Sequence, residues 1–118
     1  MIKFTFPREL RLLTPFDFNH VFQDSFRVGS PFLTLVVRKN NCNHMRLGFA
    51  IAKKQVKRAH ERNRIKRLAK EYFRHRQHQL PNIDFILMAK QSVIDLDNQQ
   101  IVETLNKLCQ RIITKYEV

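Results

Sequence analysis

The chain of 118 residues has no tryptophan, two glycines, two cysteines, four prolines and ten acidic residues. Two cysteines cannot build a disulfide framework, so any fold must be held by a core. Cys42, in a polar stretch, and Cys109, on a predicted helix, read as free thiols of a reducing compartment. Cys42 and His44 form only a C-x-H pair, and His20, His75 and His78 lack partners at ligand spacing. The acids are too few and too scattered for a divalent-metal cluster: the one close pair is Asp95 and Asp97, and Asp97 is better explained as a helix cap. No apolar run approaches the length of a membrane-spanning helix. The N-terminal MIKFTFPREL lacks the apolar region of a secretory signal, so the expected location is the cytoplasm. Without repeats, low-complexity tracts or internal linkers, residues 1–118 are expected to form a single domain.

What is abundant is positive charge. Twenty-two Lys and Arg leave a net +12, and the pI near 10.4 points to a nucleic acid or an anionic membrane surface. Residues 53–76, KKQVKRAHERNRIKRLAKEYFRHR, hold eleven of the cations against Glu61 and Glu71, and so nine of the twelve net charges. On a helix starting near Ala59, Ile65, Leu68, Ala69, Tyr72 and Phe73 form one apolar stripe that must face a core. Asn63, Lys66, Arg67, Lys70 and Arg74 occupy the opposite side, with His60 and Arg64 at its margin. A helix lying on a membrane would expose that stripe, which disfavours the membrane reading.

The helix is also charged against its own dipole. Lys53, Lys54, Lys57, Arg58 and Arg62 crowd its start, where each exposed cation costs roughly 0.3–1 kcal/mol, and no Ser, Thr, Asp or Asn cap precedes Ala59. A polyanion would relieve both defects, since phosphates bind helix N-termini and pair with Arg and Lys. The plainer alternative is a solvated charged face, against which the one-sided sign argues.

Residues 1–13 suggest an extended arm. Thr14 and Pro15 open a short helix with Phe18, Val21 and Phe22 on one face, serving either as core or as a stacking surface for a nucleobase. After Gly29-Ser30-Pro31, residues 32–39 (FLTLVVRK) read as a strand, residues 40–44 as a hairpin turn, and residues 46–52 (RLGFAIA) as the return strand. There Leu47, Phe49 and Ile51 face one way, and the small residues Gly48, Ala50 and Ala52 the other. Leu80-Pro81 stops the basic helix and residues 83–90 (IDFILMAK) form a buried strand, which suggests a βαβ unit with parallel strands. Asp97 caps a last helix, with Gln100 completing a capping box and Val102, Leu105, Leu108, Cys109, Ile112 and Tyr116 as its buried stripe. The order α-β-β-α-β-α, with or without an additional N-terminal strand, predicts an α+β two-layer sandwich with a small mixed β-sheet.

At these residues the chain resembles the protein subunit of bacterial ribonuclease P. The family's basic helix, A-x-x-R-N-K/R-I/L-K-R, is matched by Ala59, Arg62, Asn63, Arg64, Ile65, Lys66 and Arg67. Its preceding strand matches residues 46–54, its N-terminal element matches Arg11, Leu12, Phe18, Val21 and Phe22, and its D-F/Y-I/V strand falls on Asp84, Phe85 and Ile86. The match covers about residues 8–116. Ala50 stands where the family often has a small hydroxyl, and Val36 where some members place an aromatic.

The resemblance implies an RNA-bound accessory subunit of a tRNA 5′-maturation endoribonuclease. The catalytic RNA would remove the 5′ leader of precursor tRNA using Mg²⁺ held mainly by the RNA, and the protein would supply no catalytic residue. Lys53, Lys54, Arg58, Arg62, Asn63, Arg64, Lys66, Arg67 and Lys70 would contact the catalytic RNA, and Phe18, Phe22, Phe32, Val36 and Arg46 the single-stranded leader. The resemblance identifies no protein partner and no membrane, and it implies an unusual left-handed βαβ crossover, where the general rule favours a right-handed one. Two rival readings use the same residues: a general nucleic-acid-binding structural protein such as a ribosomal component, which the Arg62-Asn63-Arg64 register opposes, and a protein-only nuclease, which the lack of clustered carboxylates opposes.

Overall fold

In the computed structural model, which describes residues 25–40 and 44–116, four strands form one mixed sheet and two helices cover a single face of it. In chain order these are β1 (Phe26–Gly29), β2 (Leu33–Lys39), β3 (Arg46–Phe49), α1 (Ala59–Arg76), β4 (Ile83–Ala89), a 3-10 turn (Gln91–Asp95) and α2 (Asn98–Tyr116). The expected N-terminal arm, the short helix bearing Phe18 and Phe22, and Cys42 lie outside the described residues.

The spatial order is β1-β2-β4-β3. β4 runs antiparallel to β2, with Val36 opposite Ile86, and parallel to β3, with Gly48 opposite Ile86. The α+β class and the parallel β3-α1-β4 unit are thus as expected, but the hairpin between residues 32–39 and 46–52 is not formed. β4 separates the two strands because IDFILMA is apolar almost throughout: six of its seven residues are buried, and a strand buried on both faces belongs at the centre of a sheet. The hairpin present joins β1 to β2 instead. Its turn is closed by Ser30, whose hydroxyl accepts from the N–H groups of Phe32 (3.1 Å) and Leu33 (3.0 Å). With four residues, β1 is too short to show a period. β3 likewise ends at Phe49, so Ile51 and Ala52 lie beyond the strand.

Strand alternation sorts the side chains into two layers. Leu33, Leu35 and Val37, with Leu47, Ile83, Phe85 and Leu87, face the helices and form the main core with Ile65, Ala69, Tyr72 and Phe73 of α1 and Ile101, Leu105, Leu108, Cys109 and Ile112 of α2. Leu68 and Val102 pack at its edge. Phe73 meets Phe85 at 5.1 Å between ring centroids and Tyr72 edge-on at 5.4 Å, geometries worth about 0.5–1.5 kcal/mol each beyond area burial. On the other face Val36 and Ile86 form a small cluster flanked by Ala50 and Met88.

Helix α2 begins as its sequence requires. The Asp97 carboxylate accepts from the Gln100 N–H (2.8 Å) and the Gln100 side chain accepts from the Asp97 N–H (2.9 Å), a complete capping box. Helix α1 has no side-chain cap at Arg58.

Candidate nucleic-acid interface

The basic surface is built on α1 and the turn before it. Because the apolar stripe of α1 is spent on the core, Asn63, Arg67 and Lys70 stand exposed on the far side with Lys66 half-buried beside them. Together with Glu71 they line a shallow concavity. The turn after β3 is anchored by Val56, which is fully buried (0% exposed) and donates its N–H to the Ala52 carbonyl (3.0 Å). With Val56 pinned, Lys53, Lys54, Lys57 and Arg58 are held out in solvent beside the helix start.

Of the three arginines expected to contact RNA, two are bonded within the protein. The Arg62 guanidinium donates to the carbonyls of Val56 and Lys57, both at 2.8 Å, and so closes the basic turn onto the helix. Arg64 donates to Glu61 (3.0 Å), to the Asn98 side chain (2.8 Å) and to the Leu96 carbonyl (3.1 Å), bracing α1 against the start of α2. Arg67 makes no such bond to a described residue and remains outward. Sequence spacing put Arg64 at the margin of the cationic face, but the partners that draw it inward are 32 and 34 positions away and leave no local signal.

The acids of α1 are engaged by neighbours. Glu61 is held by Arg64 and lies 3.3 Å from His60. Glu71 is gripped by Arg74 at 2.8 Å, whose hydrogen bond, aided by the charges of Arg74 and His75, holds the carboxyl below the usual carboxylate range. Neither acid is therefore free to neutralise Lys66, Arg67 or Lys70.

The other candidate surface is the sheet face away from the helices. Val36 and Arg46 both belong to it, on either side of β4, but Val36 is fully buried (0% exposed) and Arg46 is committed to Asp84. The guanidinium meets that carboxylate in a fork, Nε to Oδ1 at 2.8 Å and Nη2 to Oδ2 at 2.7 Å, and the Asn40 amide adds a third donor at 2.8 Å. Asp84 is 1% exposed, so this is a buried charge with matched partners. Sequence reasoning assigned Asp84 only to a motif and missed this role. Phe32 is not gathered with Val36; it packs, half-buried, against the main core. Among the described residues no three His, Cys, Asp or Glu side chains are grouped to hold a metal ion, and no helix is long and apolar enough to cross a membrane.

This geometry defines a class: a small α+β protein in which one helix, α1, is core on one side and on the other carries Lys66, Arg67 and Lys70 without an acid partner among the described residues. The Ribonuclease P family model matches residues 6–113. The chain is 59% identical over 111 residues to the ribonuclease P protein component of Proteus mirabilis strain HI4320, covering 94% of this chain and 93% of that protein, and 56% identical with the same coverage to that of Escherichia coli O139:H28. Its fold superposes on the RNase P protein of Staphylococcus aureus with a TM-score of 0.82 at 26% identity, covering 87% of this chain and 94% of that one. The Thermotoga maritima RNase P protein gives 0.75 at 25% identity, covering 86% and 96%. The chain belongs to the ribonuclease P protein family, the protein component of a tRNA-processing ribonuclease.

Proposed function

We propose that this chain is the accessory subunit that binds the catalytic RNA through α1 and its preceding turn, and the 5′ leader of precursor tRNA through the opposite sheet face together with the segment carrying Phe18 and Phe22. The observation that carries the reading is the division of α1: its apolar stripe is buried, while Lys66, Arg67 and Lys70 have no partner among the described residues to justify them. Such a surface reads backbone and shape rather than sequence, as suits a folded RNA. Lys53, Lys54, Arg58, Asn63, Lys66, Arg67 and Lys70 would touch the RNA directly, and Arg62 and Arg64 would hold them in place.

On the leader side, Asp84 orients Arg46 at the edge of the sheet face, and Phe18 and Phe22 would stack unpaired bases. In this reading Mg²⁺ is held mainly by the RNA, and the chain works in the cytoplasm as one RNA-binding domain. The test is reconstitution. Catalytic RNA should cleave the leader from precursor tRNA faster with the protein present than without it, and the assembled complex should bind precursor more tightly than mature tRNA. Phe18→Leu and Phe22→Leu should reduce that preference. A chain that leaves cleavage and precursor binding unchanged is not this subunit.

A further inference from the structure

Beside the start of α1 the surface is hollowed out over about 360 Å³, between Gln55, Lys57, Arg58, Glu61, Gln91 and Ile94, a size within the range of roughly 300–1,000 Å³ common for small-ligand sites. Ile94 is the one large hydrophobic side chain among the described residues that stays exposed (49%). A lone exposed isoleucine would need no explanation, but this one is held in place. The 3-10 turn that bears it is anchored by Val93, which is fully buried (0% exposed) and bonded through its N–H to Lys90 (3.0 Å) and through its carbonyl to Leu96 (3.1 Å). The side chains of Gln55, Gln91, Lys57 and Arg58 make no bond to a described residue, and Glu61 is turned to Arg64 and His60.

The hollow therefore combines an apolar wall, two primary amides that each donate and accept, and two cations. Phosphate alone has no use for the first, and a polypeptide segment uses the last only if it places an acidic side chain there, whereas a nucleotide always brings its own anion. A single unpaired nucleotide uses all three: the face of its base needs apolar contact, the edge needs donors and acceptors, and the flanking phosphate needs positive charge. We propose that this hollow receives one unstacked nucleobase of the catalytic RNA, with its face against Ile94, its edge within reach of Gln55 and Gln91, and a neighbouring phosphate on Lys57 and Arg58. This rests on the reading of the chain as a subunit bound to that RNA, and it adds a base-recognising point to a surface that otherwise grips backbone.

The experiment uses the full chain and catalytic RNA, with dimethyl sulfate probing of base edges, RNA affinity at several salt concentrations and affinity for precursor tRNA. The variants are Ile94→Ser and the pair Gln55→Ala with Gln91→Ala; all three positions are at the surface, and melting temperatures check the fold. The expected result is a base protected by the unaltered protein that becomes reactive in both variants. RNA affinity should fall roughly tenfold in Ile94→Ser, about what losing the burial of one aliphatic side chain against the base costs, with the salt slope retained because the phosphate contacts remain. Unchanged reactivity and affinity in both variants overturns the proposal. So does weakened precursor binding with catalytic-RNA binding intact, which would make the leader the occupant. If Lys66→Ala with Lys70→Ala weakens RNA binding and Ile94→Ser does not, the hollow fails while the wider reading stands; if the unaltered chain does not bind the RNA, both fail.

Discussion

Arg64 and Arg67 lie three positions apart in the same motif, and the structure expects their removal to be felt in different measurements. The Arg64 side chain is 20% exposed and its partner Glu61 21%, and it bridges Glu61, Asn98 and Leu96 across two helices. Hydrogen bonds involving a charged group contribute about 1.5–3 kcal/mol each, but Asn98 is exposed and can return to water. Arg64→Ala should therefore cost about 1–3 kcal/mol of stability. At this chain length, roughly 4 °C of melting temperature per kcal/mol makes that a fall of roughly 4–12 °C. Arg67→Ala removes an exposed side chain that has no partner among the described residues, so stability should stay within about 0.5 kcal/mol.

Affinity for catalytic RNA measured against salt reads the other quantity. With six to ten phosphate contacts, binding should weaken roughly 10³–10⁵-fold between about 50 and 200 mM monovalent salt by the rule for DNA, and somewhat less on RNA. Arg67→Ala should lower the magnitude of the slope by about one, whereas Arg64→Ala, measured well below its melting temperature, should leave it nearly unchanged. Arg64→Ala with full thermal stability and a reduced slope would refute the assignment, since the guanidinium would then be leaving its protein partners for phosphate.

Asp84→Ala should cost about 2–4 kcal/mol in urea denaturation, because it strips a 22%-exposed Arg46 of its carboxylate, discounted from the cost of breaking a fully buried pair. Asp84→Asn, keeping an acceptor for Asn40 or Arg46, should cost less, and losses below about 0.5 kcal/mol for both would contradict the fork geometry. Asp95→Asn with Asp97→Asn should leave single-turnover cleavage by the reconstituted complex intact, since the amide oxygen introduced at position 97 can still accept from the Gln100 N–H; a large drop in the chemical step with assembly preserved would bring carboxylate-held metal back. Burial pushes the Cys109 thiol from 9.0 up to about 12, so it stays protonated in the fold while the unfolded chain ionises. Its contribution to stability is full below about pH 9 and is lost as pH rises toward 12, and a Cys109→Ala variant with an equally steep alkaline loss would show that the thiol is not responsible.

Local physics made much of this protein legible from its residues. The span of α1, its buried stripe of Ile65, Ala69, Tyr72 and Phe73, and its lack of a cap all follow from spacings within one or two helical turns. The capping box of Asp97 and Gln100 is equally local. The register of Ala59, Arg62, Asn63 and Arg64 with the flanking strand was enough to indicate the family. What the sequence left undecided is long-range. Whether β2 pairs with β3 or with β4 cannot be read from either strand's own pattern. The answer depends on where the strand buried on both faces fits, and β4 reaches that place only after the intervening helix has crossed over. Tertiary structure also separates three chemically identical arginines: Arg62 turns back on carbonyls five and six residues upstream once buried Val56 has pinned the turn, Arg64 reaches partners 32 and 34 positions away, and Arg67, with neither kind of partner among the described residues, is left facing water.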